Sequence, residues 1–556
     1  MPTSALREEP VGGRERRVSE PSRNTWIQTA GLFLIFFLLL IGDHLSLISL
    51  PYFWDEAGYY IPAARDLLGG SLIPHSTPSN AHPPLVMAWL ALMWKIFEQS
   101  IPVTRCSMLA LAAFSLTGFF RLAKTASNAT VAILATVLLS IYPVFFAQSS
   151  LAQVDLPAAG LTFWGLEAYL RKRPVGTMLW FSLAALAKET AILVPVALCA
   201  WELLKTTSKC DAENSGLLSP GERNSKMFVA LLSSGVPLAL WFGYHYLRTG
   251  FVFGNPEFLR YNLQSNLSLL RIVLALLLRV WQSFGYLNLY VLTLACVLAM
   301  KYAPQPLDGA KDVEGETSGK LRPRIHPTIQ FAMLAIALVY LAAMSVLGGA
   351  VLARYMLPVV PLVILICVST IWRRLRFWKV VLATVALAFI AGLVVNPPYG
   401  FSPEDNRAYA DYVRMHQRAE RFIQAHYPRA RVLTAWPASD ELSRPYLGYV
   451  ESAVKVVRIE DFTEEQLMSA ADMRSSFDIA LVFSTKYQPP SSFLDGSALW
   501  RQWKTRFFGY HEDMTPSAAA SVLGGNLVYS EHRKGQWVGI ILVEGIQEAR
   551  VYSPRN

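Results

Sequence analysis

Charge is scarce in this chain. Asp, Glu, Lys and Arg make up 16% of its 556 residues, against about 25% in an ordinary soluble domain. Cysteine is sparse too. Cys106, Cys199, Cys296 and Cys367 lie in apolar runs and Cys210 in a polar loop, with no Cys-x-x-Cys pair and no Cys/His cluster. That excludes a disulfide framework and a cysteine-ligated zinc module. No internal repeat is visible, which argues against the paired halves common in transporters. What the chain has is hydrophobicity. Apolar residues make up 53%, the mean hydropathy is +0.33, and the apolar residues gather in long runs. Runs of about 20 such residues read as membrane helices.

Residues 1–24 are polar and Arg-rich and read as a disordered cytoplasmic tail. Trp26 to Gly42 is uncharged and long enough for a first span. A long basic tail without a small-residue cleavage site favours an uncleaved anchor over a signal peptide. Further spans are expected at about 102–122, 129–148, 155–170, 176–187, 190–204, 227–247, 268–300, 327–348, 354–372 and 377–396, about eleven in all. Leu85 to Phe97 is apolar but short and carries Lys95, so it reads as an interfacial helix. The loops near 206–226 and 303–326 are polar and read as flexible.

The net charge of +10 would suit nucleic acid if the basic residues clustered on one surface. They do not. They fill one set of alternate loops: the N-terminal arginines, Arg121 with Lys124, Arg171-Lys172-Arg173, Lys205 with Lys209, and Arg373-Arg374. This is the positive-inside signature, so that set is cytoplasmic. Asp55, Glu56, Asp155, Lys188 and Arg354 then share the opposite, exoplasmic face.

From Pro397 the composition changes to mixed charge with short β-like runs at Arg431–Ala435, Val454–Ile459, Asp478–Phe483, Asn526–Tyr529 and Trp537–Val543. Helical patterns lie at about 405–427 and 463–474. The expected fold class is mostly α: a polytopic membrane helix bundle, residues 25–396, with a small C-terminal exoplasmic α/β domain, residues 397–556.

The chemistry points to the outer face. Phe53-Trp54-Asp55-Glu56-Ala57-Gly58-Tyr59-Tyr60 follows the first span, and Pro62 beyond it should restart the next helix. Ionisable residues beside a bilayer are costly and signal function. Asp155 heads a span, Lys188-Glu189 lies between two short apolar stretches, and Arg354-Tyr355 opens Arg-Tyr-Met-Leu-Pro. Tyr59, His82 and Arg260 are further substrate-side candidates. Carboxylates beside Lys and Arg suit a phosphate-bearing lipid: the cations hold the phosphate and the carboxylate takes a proton from an attacking hydroxyl. Each residue also has a plainer reading. Asp55 and Asp155 can cap helices, Lys188 can reach for the interface and pair with Glu189, Arg354 can anchor its span, and His82 before Pro83-Pro84 can close a turn.

On these residues the chain resembles the GT-C superfamily of membrane glycosyltransferases, above all the bacterial relatives of protein O-mannosyltransferases and of the lipid A aminoarabinose transferase. The resemblance rests on Asp55-Glu56, Tyr59-Tyr60, Ala63-Ala64-Arg65-Asp66-Leu67-Leu68, Pro83-Pro84-Leu85, Arg105, Asp155, Leu186-Ala187-Lys188-Glu189 and Arg354-Tyr355-Met356-Leu357-Pro358, and covers residues 26–396. It implies a polyprenyl-phosphate-linked sugar as donor and a lipid, glycan or protein hydroxyl as acceptor, in a cell inner membrane facing the periplasm. It implies Asp55 as the general base of an inverting transfer, Glu56 in support, Asp155 as the second acidic position, and Lys188 and Arg354 on the donor phosphate. A divalent cation between Asp55 and Asp155 and a site using Lys and Arg alone both stay open. The rival classes are a transporter or flippase and a membrane scaffold built around the outer domain.

Overall fold

The computed structural model describes residues 23–207, 225–256, 260, 267–303, 322–347, 349–489 and 496–543. The expected N-terminal tail and the two polar loops fall almost wholly outside these. The chain is mostly helical, with several apolar helices and a small C-terminal sheet. By length and composition, five helical stretches among the described residues can cross a membrane: Trp26–His44, Ile101–Ala126, Ser225–Thr249, Leu269–Tyr302 and Pro327–Val346. With the shorter apolar helices they make a multi-pass membrane protein. Leu34, Leu38, Leu240, Leu247, Leu338 and Leu387 turn outward on them, as suits helices that meet lipid.

Local chemistry sets where these helices break. Pro143 ends Ala129–Ile141 and starts the short Pro143–Gln148, since proline cannot donate into the preceding turn. The run expected as one span at about 268–300 is two helices, Leu269–Phe284 and Leu289–Tyr302. Between them Leu287 and Asn288 have φ of 45° and 68°, left-handed values that a right-handed helix cannot carry. In the loop after the first apolar helix a π-turn over Glu56–Tyr60 passes into the helix Ile61–Leu68, with Pro62 in its first turn. There proline needs no donor and restarts the helix. Leu85–Phe97 is helical as expected.

The C-terminal sheet has five strands, β1 Arg431–Ala435, β2 Lys455–Ile459, β3 Ile479–Phe483, β4 Gly525–Arg533 and β5 Gln536–Val543. Their order is β2-β1-β3-β5-β4. The pairs β1–β2 and β1–β3 are parallel, and β3–β5 and β4–β5 antiparallel. β3 is buried throughout, as the continuous apolar run Ile-Ala-Leu-Val-Phe requires. The helix Ala408–His426 packs its Tyr409, Tyr412, Val413, His416, Ala419 and Ile423 face inward, a 3.6-residue stripe. Helices Ala498–Phe508 and Pro516–Leu523 were not expected from sequence.

The sheet does not own a separate core. Val432, Leu433, Leu481 and Ile540 lie in one continuous apolar cluster with Tyr52, Phe53, Ala57 and Ile61 after the first apolar helix and Leu151, Ala152 and Val154 ahead of Asp155. The sequence-drawn boundary at 397 marks a change of composition, while the packing runs across it.

Candidate active site

Three distant stretches meet at Arg354. Its Nη2 donates to Asp55 Oδ2. Its Nε lies 3.2 Å from Asp155 Oδ2, and its Nη1 pairs with Glu404. Lys188 Nζ lies 2.5 Å from Asp155 Oδ1. The planar guanidinium has donors on three sides, which is what joining three carboxylates demands. Arg354, Asp155 and Glu404 are each about 3% exposed, whereas Asp55 keeps 21% of its side chain open. The carboxylate that faces out is therefore Asp55.

Backbone places each group. Asp155 is the first residue of the helix Asp155–Leu170, where a carboxylate is favoured. Lys188 is extended, at the break between Pro174–Ala187 and the turn Glu189–Ile192. Arg354 sits in the short turn Ala353–Met356. Asp55 precedes the π-turn and makes no capping hydrogen bond, so its carboxylate is free for Arg354. Trp54, just before it, is held at φ 46°, a conformation costly for a bulky residue. The packing explains how it is held: the Trp54 ring lies edge-on to Tyr412 and Trp436, at 5.8 and 5.1 Å between centroids. Gly58 is needed one turn on, because a Cβ there would stand 2.7 Å from the Trp436 ring.

The other sequence candidates fall elsewhere. Glu56 turns away from Asp55 into a sealed pocket, where it takes Arg105 Nη1 and the Ala152 amide at 2.5 Å each and the Phe53 amide at 2.8 Å. That set ties the first loop to the head of the Asp155 helix. Glu189 pairs with His82, 2.8 Å from its Nδ1, which leaves Lys188 for Asp155. Tyr59 and His82 line a cleft with Tyr60, Thr77, Asn80 and Trp241. Burial, then the charges of Asp55 and Asp155, hold the Tyr60 phenol well above its usual range, so Tyr60 connects the cleft to the cluster. Arg260 is exposed, between the helices Val236–Thr249 and Leu269–Phe284.

Sequence reasoning missed Glu404 and Asp405, in the turn Pro403–Asp405. Gln153 Nε2 donates to Glu404 Oε2 at 2.9 Å. Tyr286 donates to Asp405 Oδ2 at 2.6 Å. It also missed Arg279, buried in the helix Leu269–Phe284. Arg279 clamps the Met344 and Leu352 carbonyls and so fixes the approach to Arg354. Tyr355 packs under all the cations, 3.9 Å from Lys188 Nζ and 5.4 Å from the Arg279 guanidinium. Arg354 stands between Asp55 and Asp155 and pairs with both. Among the described residues, one group of three His, Cys, Asp or Glu side chains stands close enough to hold an ion, and it lies in the C-terminal part.

Burial and the neighbouring Glu404 push the Asp405 carboxyl up to about 8. A carboxyl raised in the fold favours the folded state below its unfolded value, near 4, and that stability is lost as pH rises through about 8. Thermal unfolding between pH 5 and pH 8.5 will therefore show the wild type weakening with pH, and Asp405→Asn weakening less. Parallel curves would remove Asp405 from the titration.

Part of the chain matches a family model, and its fold is similar to that of solved membrane proteins. Residues 81–214 match a family model described as dolichyl-phosphate-mannose-protein mannosyltransferase. Among solved structures, ArnT from Cupriavidus metallidurans in the apo state is similar at 14% identity with a TM-score of 0.51, over 93% of this chain and 98% of that one. The same ArnT bound to undecaprenyl phosphate is similar at 13% identity and a TM-score of 0.49, over the same shares. The Archaeoglobus fulgidus oligosaccharyltransferase in the apo form is similar at 10% identity and 0.40, over 83% of this chain and 70% of that one. Among curated proteins no match is found.

Proposed function

We propose that this chain moves one sugar from a polyprenyl-phosphate carrier to a hydroxyl of a lipid, glycan or protein, with inversion. The reaction would take place on the exoplasmic face of a bacterial inner membrane. The N-terminus lies in the cytoplasm, about eleven spans form the bundle, and residues 397–556 lie outside. The observation that carries this reading is Arg354 joining Asp55 to Asp155, with Lys188 on the far side of Asp155.

The acceptor oxygen attacks the anomeric carbon as the bond from that carbon to the phosphate oxygen breaks. The hydroxyl proton passes to Asp55, the one carboxylate of the cluster open enough to meet a substrate. Charge grows on the departing phosphate, where Lys188 and Arg354 offset it. Arg354 holds Asp55 at rest. A donor phosphate offers Arg354 a fourth anion and loosens that grip, so donor binding prepares the base. Asp155 and Glu404 keep both cations fixed, and the cleft beside Tyr59, Tyr60 and His82 gives the donor sugar or acceptor a place.

The test is consumption of radiolabelled polyprenyl-phosphate sugars by the protein in reconstituted vesicles. Consumption by wild type, with Lys188→Gln raising the donor KM about 10–150-fold, is the expected result; it corresponds to a charge-assisted bond of about 1.5–3 kcal/mol. Donor that crosses the bilayer unconsumed would instead mark a carrier.

A further inference from the structure

The C-terminal part contains a group of ionisable side chains that the transfer reaction does not use. His416 and Glu420 stand one turn apart on the helix Ala408–His426, so they project side by side. Glu441 reaches them from the helix Ala438–Ser443. All three are fully buried. His416 Nδ1 lies 2.8 Å from Glu441 Oε2 and 3.8 Å from Glu420 Oε1. One ligand atom from each lies within 4.8 Å of the others.

Their surroundings are apolar, with Val413, Ala419, Leu442 and Phe483 in the same cluster. Two carboxylates without water are expensive unless matched by positive charge. No Arg or Lys is paired with either one among the described residues. Apart from the contact of the Glu420 and Glu441 carboxyls with each other, several atoms here lack a hydrogen-bond partner: both Glu420 oxygens, Glu441 Oε1, the Tyr412 hydroxyl and Ser439 Oγ. Tyr412 stacks on the His416 ring at 3.9 Å between centroids. After burial, the charges of Glu441 and Glu420 act most strongly on its phenol, so an unused oxygen stands beside the two carboxylates.

We infer that His416, Glu420 and Glu441 bind a divalent cation of the zinc type, with the Tyr412 hydroxyl or a water as fourth ligand. One imidazole nitrogen and two carboxylate oxygens are a zinc donor set, and at bond lengths of about 2.0–2.2 Å such ligands stand about 3.3–3.6 Å apart. The observed 2.8 and 3.8 Å bracket that spacing. The ion neutralises both carboxylates and accepts the unpartnered oxygens. Its place is structural. Tyr412 packs edge-on against Phe53 at 5.2 Å and Trp54 at 5.8 Å, so the ion would stiffen the wall behind Asp55.

The competing account is a proton shared between Glu420 and Glu441 beside a charged His416. Full-length protein in detergent, free of any histidine tag, is loaded with zinc(II), desalted and assayed for metal. We expect about one tightly held zinc per chain in the wild type, falling at least tenfold in affinity in Glu420→Gln and in Glu441→Gln. A chelator lowers the wild-type unfolding temperature and zinc restores it, while neither variant responds. Wild type that keeps no zinc, or Glu420→Gln that binds it as well as wild type, overturns the proposal. Should the variants not fold, the wild-type zinc content and chelator response decide alone.

Discussion

Asp55→Asn will lower sugar transfer by about 10²–10⁴-fold, the usual worth of a positioned general base, and leave the fold nearly as stable as wild type. Both halves follow from geometry. Asn keeps the shape and still offers an oxygen to Arg354 Nη2, and the position is partly open to solvent. The cost in stability is therefore about that of one hydrogen bond, roughly 0.5–1.5 kcal/mol. What Asn cannot do is take a proton at neutral pH. Turnover in vesicles and thermal unfolding of the same preparations check this. Equal turnover in both proteins would remove Asp55 from the reaction.

Arg354→Gln is expected to fail in both respects. Asp155 and Glu404 are buried, and Arg354 is the cation they share. Removing one partner of a buried ion pair costs about 3–5 kcal/mol, because the remaining charge stays stranded in a medium of low polarity. Transfer should be undetectable and the unfolding temperature should fall by many degrees. Arg354→Lys separates charge from shape. One ammonium can neutralise the cluster but cannot present donors to three carboxylates in a plane, so it should recover more stability than activity. Arg354→Gln with wild-type stability would mean that the carboxylates find protons or water instead.

Much of this site was legible in the sequence because each member stands at a helix end. Counting spans puts Asp55, Asp155, Lys188 and Arg354 on one side of the bundle, although Asp55 and Arg354 are 299 residues apart. Their pairing was not legible. The choice of Asp155 over Glu189 as the partner of Lys188 depends on backbone direction at the break after Ala187, which no spacing rule contains. Glu404-Asp405 escaped notice because an acidic pair after the last apolar run looks like the start of a soluble segment. Arg279 did carry a signal: a charge inside a run otherwise fit to span a membrane. The break at Leu287–Asn288 carried little, since neither Gly nor Pro marks it. The strands were readable from their β-branched runs. The helix Ala498–Phe508 was not, because aromatic and basic residues alternate along it without an apolar stripe.

The common core of the first loop and the sheet has a consequence for how the protein comes into being. Asp55 leaves the ribosome early, while Glu404 follows some 350 residues later and the strands about 375–490 later, roughly 17–100 seconds at ordinary rates of synthesis. Until then Phe53 and Trp54 have no Tyr412 to lie against, and Arg354 lacks one of its three anions. A nascent or truncated chain would sit in the bilayer with the loop that carries Asp55 unset. Synthesis order thus sets the order of assembly: the Asp55 loop waits for Tyr412 and Glu404.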